Sequence, residues 1–260
     1  MTRRLAGALF LLMALAGPAA QARTIKLCLA ERELLPVSSP RFEAPGQYLV
    51  RRAIESRGDQ ASFSAVPWTR CVDGVRRNVY DGAIGVVVTE SFLPYMRFPL
   101  AGMRPDASKS IGNIVFVAMR PVGGAADWDG ERFENVTRPV LYNPAARAIF
   151  DKLAALGVPR DAGTPKEEQM MNMMLAGRTD IAIGREDAAV PLTETRAFLG
   201  KIEILPRPFV STPTYLAFGK AFMDMNGPFA DEVWKEIARL RQEPDWEDKA
   251  RGLQRNGRSD

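Results

Sequence analysis

The chain contains no histidine, and only two of its 260 residues are cysteines. The absence of histidine excludes Ser-His and Cys-His catalytic pairs, and it also excludes zinc sites that use imidazole ligands. Two cysteines are too few to build a thiolate-rich metal site. We therefore expect no metal and no other cofactor, and we assign no catalytic residue.

Long apolar runs are also scarce, and the one prominent run lies within residues 1–22. There, two arginines precede an apolar run over residues 5–15, a helix-breaking Gly17-Pro18 pair and a small-x-small ending at Ala22, which is the pattern of a cleavable secretory signal peptide. A membrane anchor would need ~20 apolar residues, and neither this run nor another segment supplies them. No cysteine follows Ala22 directly to carry a lipid. We expect a soluble protein exported to the periplasm.

The excess of basic over acidic residues is small. Removing residues 1–22 takes away two arginines and no acid, which lowers the formal net charge from +4 to +2. The remaining Lys and Arg residues form no stripe interleaved with aromatic residues, as a nucleic-acid-binding surface would. We therefore expect no nucleic-acid partner.

The two cysteines, Cys28 and Cys71, lie in the first predicted strand and shortly after the second. In the oxidising compartment that a signal peptide implies, we expect them to form a disulfide. Neighbouring parallel strands would bring them together, and closing a loop of about 40 residues would stabilise the fold by ~3–4 kcal/mol. The alternative is a pair of separate buried thiols.

Strands and helices alternate in the first part of the chain. The pattern predicts strands over residues 24–30, 61–66 and 83–88, a helix over residues 47–57, and a second helix whose buried face carries Val72, Val75 and Val79. Asp81-Gly82 is predicted to end that second helix. Right-handed crossovers make this β-α-β-α-β unit a parallel sheet.

A second α/β set follows a linker rich in glycine and aspartate. It is predicted to contain strands over residues 114–119, 139–142, 180–183, 201–205 and 213–218, and helices over residues 145–156, 166–176, 186–199 and 228–240. The apolar segments 114–119 and 213–218 each follow a break, and we interpret them as paired crossings between two lobes. The predicted fold class is α/β, with two lobes and a cleft between them that suits a small ligand.

The order of these segments resembles that of periplasmic solute-binding proteins of the type 2 fold. The matching segments are TIKLCLAERELLP, PWTRC…G…YDGAIG, MMNMMLAGRTDIAIG and PTYLAFGKAF, which together extend over nearly the whole chain after the signal. The resemblance is closest to bacterial extracellular solute-binding protein family 3, the amino-acid-binding branch. It implies a lobe 1 formed by residues 23–113 and 213–260, and a lobe 2 formed by residues 114–212.

The resemblance also implies a function. Proteins of this kind capture a small polar or amino-acid-like solute between the lobes, usually for delivery to the membrane subunits of an ABC transporter, so we expect a monomeric protein that is not an enzyme. In typical family members, an arginine in a Thr-x-x-Arg pattern after the third strand clamps the ligand carboxylate. Here Phe92 stands at the place of that arginine, and the ligand class is left open.

Candidate ligand-binding residues follow the predicted strand ends, because ligands of open α/β sheets bind at the carboxyl ends of the strands. In lobe 1 they are Glu31, Trp68, Arg70, Thr89, Glu90 and Ser91. In lobe 2 they are Tyr142, Asn143, Arg185 and Glu186, with Arg185 as a replacement for the missing clamp. The alternatives are structural: charged residues on the surface, Trp68 in a core, and Asn143 as a helix cap followed by a proline.

Two other functions remain open from the sequence. The same fold resembles that of periplasmic enzymes such as dehydratases, in which Glu90, Glu186 or Arg185 would serve as acid–base or anion-binding groups. The loss of the clamp arginine would also fit a sensor or partner-binding protein with a degenerate cleft. Turnover of a candidate acid would favour the enzyme, and a cleft closed by packed apolar side chains would favour the partner-binding protein.

Overall fold

The computed structural model describes residues 22–144 and 146–258, so the predicted signal peptide lies outside the described residues apart from Ala22. The described strands are β1 (Thr24–Ala30), β2 (Gln60–Val66), β3 (Gly82–Val86), β4 (Met96–Arg97), β5 (Leu100–Ala101), β6 (Arg104–Pro105), β7 (Gly112–Pro121), β8 (Asp127–Trp128), β9 (Phe133–Glu134), β10 (Val140–Tyr142), β11 (Arg160–Ala162), β12 (Ala182–Arg185) and β13 (Ile202–Gly219). The helices are α1 (Pro45–Glu55), α2 (Trp68–Arg76), α3 (Arg147–Ala155), α4 (Glu167–Leu175), α5 (Glu186–Thr193), α6 (Lys220–Arg241) and α7 (Trp246–Arg258), with a 3₁₀ turn at Ala107–Lys109.

Nine strands share one sheet, in the order β11-β10-β12-β7-β13-β3-β1-β2, with β4 added beside β13. In lobe 1, β1 pairs in parallel with both β2 and β3, so the predicted parallel β-α-β-α-β unit is confirmed. In lobe 2, β10 pairs in parallel with β11 and β12, and β12 pairs antiparallel with β7. The remaining strands form two small hairpins, β5–β6 and β8–β9.

The two crossings between the lobes are adjacent strands. β7 and β13 run antiparallel from the pair Ile202–Pro121 to the pair Thr214–Gly112, and β13 then continues into lobe 1 to pair with β3. The paired crossings that the sequence predicted are therefore present, but the separate strands expected at residues 201–205 and 213–218 form one strand of 18 residues. The prolines between them are tolerated because this part of β13 is an edge strand, with register shifts on either side of Pro208.

Each lobe buries apolar side chains on both faces of its sheet. Lobe 1 packs α1 and α6 on one face, around residues such as Leu27, Ile54 and Trp234, and packs α2 on the other. Lobe 2 packs α3 on one face and α4 with α5 on the other, where Met170 and Met174 are fully buried. Parallel strands read as continuous apolar runs in sequence when both of their faces are covered in this way.

The disulfide between Cys28 and Cys71 is present and joins β1 to the first turn of α2, with the two Cα atoms 5.5 Å apart. Both cysteines are fully buried in the cluster that includes Val75 and Val86. The disulfide predicted from the sequence is thus confirmed, and it ties the helix that borders the cleft to the central strand of lobe 1.

The end of α2 differs from the prediction. The helix stops at Arg76, and Asn78 adopts a left-handed conformation with φ of 60°, so the turn comes before Asp81-Gly82. Asparagine is one of the few residues other than glycine that visit this conformation readily. Val79 therefore lies past the helix and is 55% exposed, whereas Val75 is buried as predicted.

Two later helices also differ at their boundaries. α5 ends at Thr193 rather than at residue 199, and it contains Pro191 in its last turn. α6 begins eight residues before the predicted start at residue 228, because Asn226 leaves helical geometry just ahead of Pro228 and joins two helical segments. No helix among the described residues is long and apolar enough to cross a membrane.

A close backbone approach fixes α1 against the loop that follows β1. A Cβ atom at Gly46 would collide with the carbonyl oxygen of Val37 and lie 2.9 Å from that of Ile111. Only glycine allows both carbonyl groups to sit this near the start of the helix. The loop carrying residues 31–44 is therefore held between α1 and the sheet.

The described chain is anchored at its beginning by Arg23 and Asp59. The backbone N–H of Arg23 donates to Asp59 Oδ1 at 2.9 Å, and its Nε and Nη2 atoms donate to Asp59 Oδ2 at 3.0 Å and 2.6 Å. The hydrogen bond from the Arg23 side chain outweighs the opposing effect of burial and lowers the pKa of Asp59 below its usual value. This pair fixes the entry to β1 beside the start of β2.

Candidate functional site

A cavity of about 270 Å³ lies between the two lobes, at the carboxyl ends of β1 and β3. Lobe 1 lines it with the segment after β1 (Ala30, Arg32, Leu34, Ser38), with Trp68 at the start of α2, and with Ile84, Gly85, Val87 and Phe92. Ile114 and Phe116 of β7, with Asn143, Ala146 and Arg185, complete the lining. Its position agrees with the general rule for open α/β sheets and for interlobe clefts.

Aromatic side chains form much of the cavity wall. Trp68 and Phe92 meet edge to face, with ring centroids 6.3 Å apart, and Phe92 meets Tyr95 in the same way at 6.2 Å. Phe116 belongs to the lining from β7, and its side chain is mostly buried. Phe92, which stands at the place of the family's clamp arginine, thus presents an apolar ring to the cavity. The wall at that position suits an apolar part of a ligand.

A bulge in β3 shapes the floor of the cavity. Val86 pairs with Tyr215 and Ile84 pairs with Leu216, which leaves Gly85 between them without a partner on β13. Gly85 has φ of 79°, and a Cβ atom there would lie 3.2 Å from the side chains of Leu34 and Val37. Glycine is suited to this left-handed bulge position. The missing side chain lets the segment after β1 pack directly on the strand.

Ser38 is the buried polar residue of that segment that belongs to the described lining of the cavity. Its backbone forms a two-way bridge with Leu34, with hydrogen bonds of 2.9 Å in each direction. The residue is only 1% exposed, and its Oγ atom has no hydrogen-bond partner among the described residues. Buried hydroxyl groups are nearly always hydrogen-bonded, so Ser38 is an exception, as is the buried hydroxyl of Tyr215, which is outside the described lining.

Arg32 is the second unengaged polar group of the cavity. It lies two residues beyond β1, is exposed, and makes no hydrogen bond or ion pair within the described part of the chain. A guanidinium group presents donors in a fixed fork that matches a carboxylate. The sequence analysis passed over both Arg32 and Ser38. For Arg32 a signal was available, since it directly follows Glu31 at the end of the first strand.

Arg185 is held in place by contacts on both sides of the cleft. Its Nε donates to Asp187 Oδ1 at 2.9 Å, and its Nη2 donates to Asp187 Oδ2 and, at 3.1 Å, to the carbonyl oxygen of Glu33 in lobe 1. The N–H of Leu35 in lobe 1 donates to Asp187 Oδ2 at 3.2 Å. We call Arg185, Asp187 and the backbone of residues 33–35 the interlobe latch. The arginine and aspartate side chains are only 14% and 12% exposed.

Charge and burial act on Arg185 in opposite directions. Burial works to lower the pKa of its guanidinium group, but the hydrogen bond and negative charge of Asp187 outweigh burial and raise that pKa above its usual value. The guanidinium is thus charged and already neutralised by a bidentate partner. As a replacement for the missing clamp, Arg185 already has three of its five N–H donors engaged, on Nε and Nη2.

Three of the predicted ligand-binding residues line the cavity: Trp68, Asn143 and Arg185. α3 begins at Arg147 with Ala146 as its N-cap residue, so Asn143 does not cap that helix. These three residues come from both lobes, and the interlobe cavity brings them together.

The other predicted residues lie elsewhere. Glu31, Arg70, Thr89, Glu90, Ser91 and Glu186 are exposed and stand outside the described lining, and Tyr142 is buried in the core of lobe 2. β3 ends at Val86, so the polar cluster expected at the strand end begins three residues later and faces solvent. The hydroxyl groups of Thr89 and Ser91 bond to each other at 2.8 Å. Tyr142 packs against Phe150, with ring centroids 6.2 Å apart.

No protein-family model matches the chain, and no curated protein matches it by sequence. Solved structures do match its fold. The probable amino-acid ABC transporter extracellular-binding protein ytmK from Bacillus subtilis aligns over 90% of this chain and 98% of its own length, with a TM-score of 0.66 and 10% identity. The amino acid ABC transporter substrate-binding protein AbpA from Streptococcus pneumoniae, bound to L-arginine, aligns over 90% and 95%, with a TM-score of 0.58 and 13% identity.

A histidine kinase sensor domain with similarity to periplasmic binding proteins also aligns, over 89% of this chain and 96% of its own, with a TM-score of 0.55 and 13% identity. The chain has the two-lobe periplasmic-binding-protein fold. The type 2 fold that the sequence predicted is therefore confirmed. At identities of 10% and 13%, the similarity concerns the fold alone. These three similar structures are two binding proteins of ABC transporters and one sensor domain.

Proposed function

We propose that this chain is an exported solute-binding protein that holds a small ligand in the interlobe cleft and delivers it to the membrane subunits of an ABC transporter. The observation that carries the proposal is the cavity itself. Both lobes line it, and the guanidinium of Arg32 on its wall lacks a partner among the described residues. The comparison structures include transporter-linked binding proteins of the same fold.

Binding would act on the relative position of the lobes. A ligand that touches Trp68 in lobe 1 and Asn143 in lobe 2 favours the conformation in which both are near it, and hinge closure around a ligand is the motion associated with two-lobe folds. The interlobe latch adds hydrogen bonds between the two lobes in that conformation. We place the lobe divisions at residues 113/114 and 212/213, within the paired strands β7 and β13, as part of this proposal.

A thermal-shift screen of the exported protein tests the proposal. The library should contain carboxylic acids, amino acids, amines, sugars and short peptides. A ligand at about 100 times its dissociation constant adds ~2.7 kcal/mol to the free energy of unfolding, which raises the melting temperature by roughly 5–11 °C for a chain of this size. A hit should disappear in Trp68→Ala and persist in the exposed-site control Arg196→Gln. A cooperative melt that no compound shifts would contradict the proposal.

A sensor function is the second candidate, and the match to a kinase sensor domain favours it. Both functions use the same cleft, so the distinction lies in what a bound ligand causes in the cell. Deleting the coding sequence should abolish uptake of the radiolabelled ligand if the protein serves a transporter. Unchanged uptake with an altered transcriptional response to the ligand would favour the sensor.

The enzyme alternative has less support. Glu90 and Glu186, which the sequence offered as acid–base groups, are exposed and stand outside the described lining of the cavity. General acid–base catalysis requires such a group within hydrogen-bond reach of the substrate. Among the described residues, the titratable side chains of the lining are two arginines, Arg32 and Arg185.

A further inference from the structure

We propose that the ligand of the cleft is a small carboxylate with an apolar body and no ammonium group. This inference rests on the proposed solute-binding function and specifies the ligand class for the same cavity. It separates this chain from a binder of α-amino acids, whose ligands carry a carboxylate and an ammonium group together.

The charge of the described lining favours an anion. Arg32 brings an unpaired guanidinium group to the cavity, and no Asp or Glu belongs to the described lining. The positive charge of Arg185 is already balanced by Asp187, so it adds little to the net field. One uncompensated positive charge remains, and a carboxylate is its natural complement because the guanidinium fork can donate two parallel hydrogen bonds to it.

An ammonium group would find no carboxylate partner. The nearest acids in the chain segment after β1 are Glu31, which is exposed outside the lining, and Glu33, whose Oε1 accepts a hydrogen bond of 2.8 Å from Arg41. Asp187 is engaged by Arg185 and by the N–H of Leu35. Taking an ammonium group out of water without a counter-charge carries a large desolvation penalty, so the cleft disfavours it.

Arg32 and Ser38 belong to the same loop after β1, which the Gly85 bulge holds against the sheet. The Ser38 Oγ has no partner among the described residues, but it has almost no accessible surface, so Arg32 supplies the donors for the anionic group.

The remaining walls suit an apolar body. Trp68, Phe92, Leu34 and Ile84 face the cavity from lobe 1, and Phe116 faces it from β7. The volume of about 270 Å³ lies just below the ~300–1,000 Å³ found for ligand pockets. These dimensions fit an acid with a compact branched or aromatic body.

The test uses two matched sets of probes that differ only in their polar groups. One set is 3-phenylpropanoate, L-phenylalanine and 3-phenylpropanamide, and the other is 4-methylpentanoate, L-leucine and 4-methylpentanamide. Binding to the exported protein is measured by titration calorimetry and by the change in intrinsic tryptophan fluorescence, to which Trp68 in the cavity wall contributes. We expect the carboxylate of at least one set to bind at least about tenfold more tightly than its amide, because hydrogen bonds to a charged group are worth ~1.5–3 kcal/mol. It should also bind at least about tenfold more tightly than its amino acid, because the ammonium group would be desolvated without a counter-charge.

Two variants locate the effect. Arg32→Gln should remove the preference for the carboxylate over the amide, and Ser38→Ala should leave it intact, because the Ser38 hydroxyl has almost no accessible surface. The control Arg196→Gln changes an exposed arginine outside the lining and should leave the preference intact. Melting curves of each variant establish that it is folded.

The outcomes separate this inference from the proposed function. Equal or tighter binding of either amino acid, or an unchanged preference in Arg32→Gln, overturns the inference while solute binding stands. If both probe sets fail and the broad screen yields an amine, a sugar or a peptide, the ligand class is likewise wrong and the function holds. If the screen yields nothing at all, both fail.

Discussion

Replacing Asp187 by alanine should destabilise the protein strongly, although the residue lies in a surface-accessible cleft. The change removes both carboxylate oxygens that accept from the Arg185 guanidinium, which keeps only the carbonyl oxygen of Glu33, and it removes the acceptor of the Leu35 N–H. The two charged side chains are only 14% and 12% exposed, so the arginine would remain as a buried charge without its counter-ion. Breaking one side of a buried pair costs about 3–5 kcal/mol.

The assay is urea unfolding followed by circular dichroism, with thermal melts beside it. A loss of ~3–5 kcal/mol corresponds to a fall in melting temperature of roughly 6–20 °C for a chain of this size. The matched control is Asp151→Ala, which removes an ion pair with Arg147 whose side chains are 80% and 56% exposed. Exposed pairs contribute little, so the control should stay within about 0.5–1 kcal/mol of the parent.

A double variant completes the test. Arg185→Met combined with Asp187→Leu removes both charges at once, and it should recover most of the stability that Asp187→Ala loses, because no unpaired charge is left. A loss below ~1 kcal/mol in Asp187→Ala would refute the reasoning. It would mean that residues 33–35 of lobe 1 move away from Arg185 and Asp187 in solution and that water reaches the guanidinium group.

Three further predictions concern the fold. Replacing Cys28 and Cys71 by alanine should lower the free energy of unfolding by about 2–5 kcal/mol, measured by urea unfolding. Gly46→Ala should destabilise by at least ~1–3 kcal/mol in the same assay because of the carbonyl clash, whereas Gly252→Ala meets nothing within 4 Å and should be neutral or stabilising. The depressed pKa of Asp59 stabilises the fold above its unfolded value of about 3.9, and this contribution is lost as the pH falls through the folded pKa. Asp59→Asn should therefore flatten the dependence of the urea midpoint between about pH 5 and pH 2, and an unchanged slope would contradict this assignment.

Many of the helices and strands could be predicted because the spacing of apolar residues within each segment shows which of its faces is buried. Leu49, Val50, Ala53 and Ile54 recur at helical spacing and are all fully buried in α1. The continuous apolar run of β3 identifies a strand covered on both faces. By contrast, β11 and the β8–β9 hairpin were missed, since strands of two or three residues are too short to show any periodicity.

The cavity lining was harder to predict because it depends on where strands stop and how irregular segments run. A shift of a few residues at the end of β3 turned Thr89 from an expected ligand contact into an exposed residue, and placed Val87 on the cavity wall instead. Arg32 and Ser38 reach the cavity because their loop packs on the Gly85 bulge, a contact between distant segments that no local pattern records. The proline-containing middle of β13 was misread for a similar reason, since edge position is a property of the sheet.

The pairing of the two crossings has a consequence for engineering. Residues 122–201, which include β10, β11 and β12, are joined to the rest of the chain at Pro121 and Ile202, and these two residues are opposite partners on adjacent strands. Such partners lie only ~5 Å apart, so the two ends of the intervening segment are close together, as in a domain inserted at the end of a hairpin. Exchanging it for the corresponding segment of another protein of this fold would replace Asn143 and Arg185 and keep Arg32, Ser38 and Trp68. The residues that line the cavity are thus divided between two parts of the chain that can be exchanged separately.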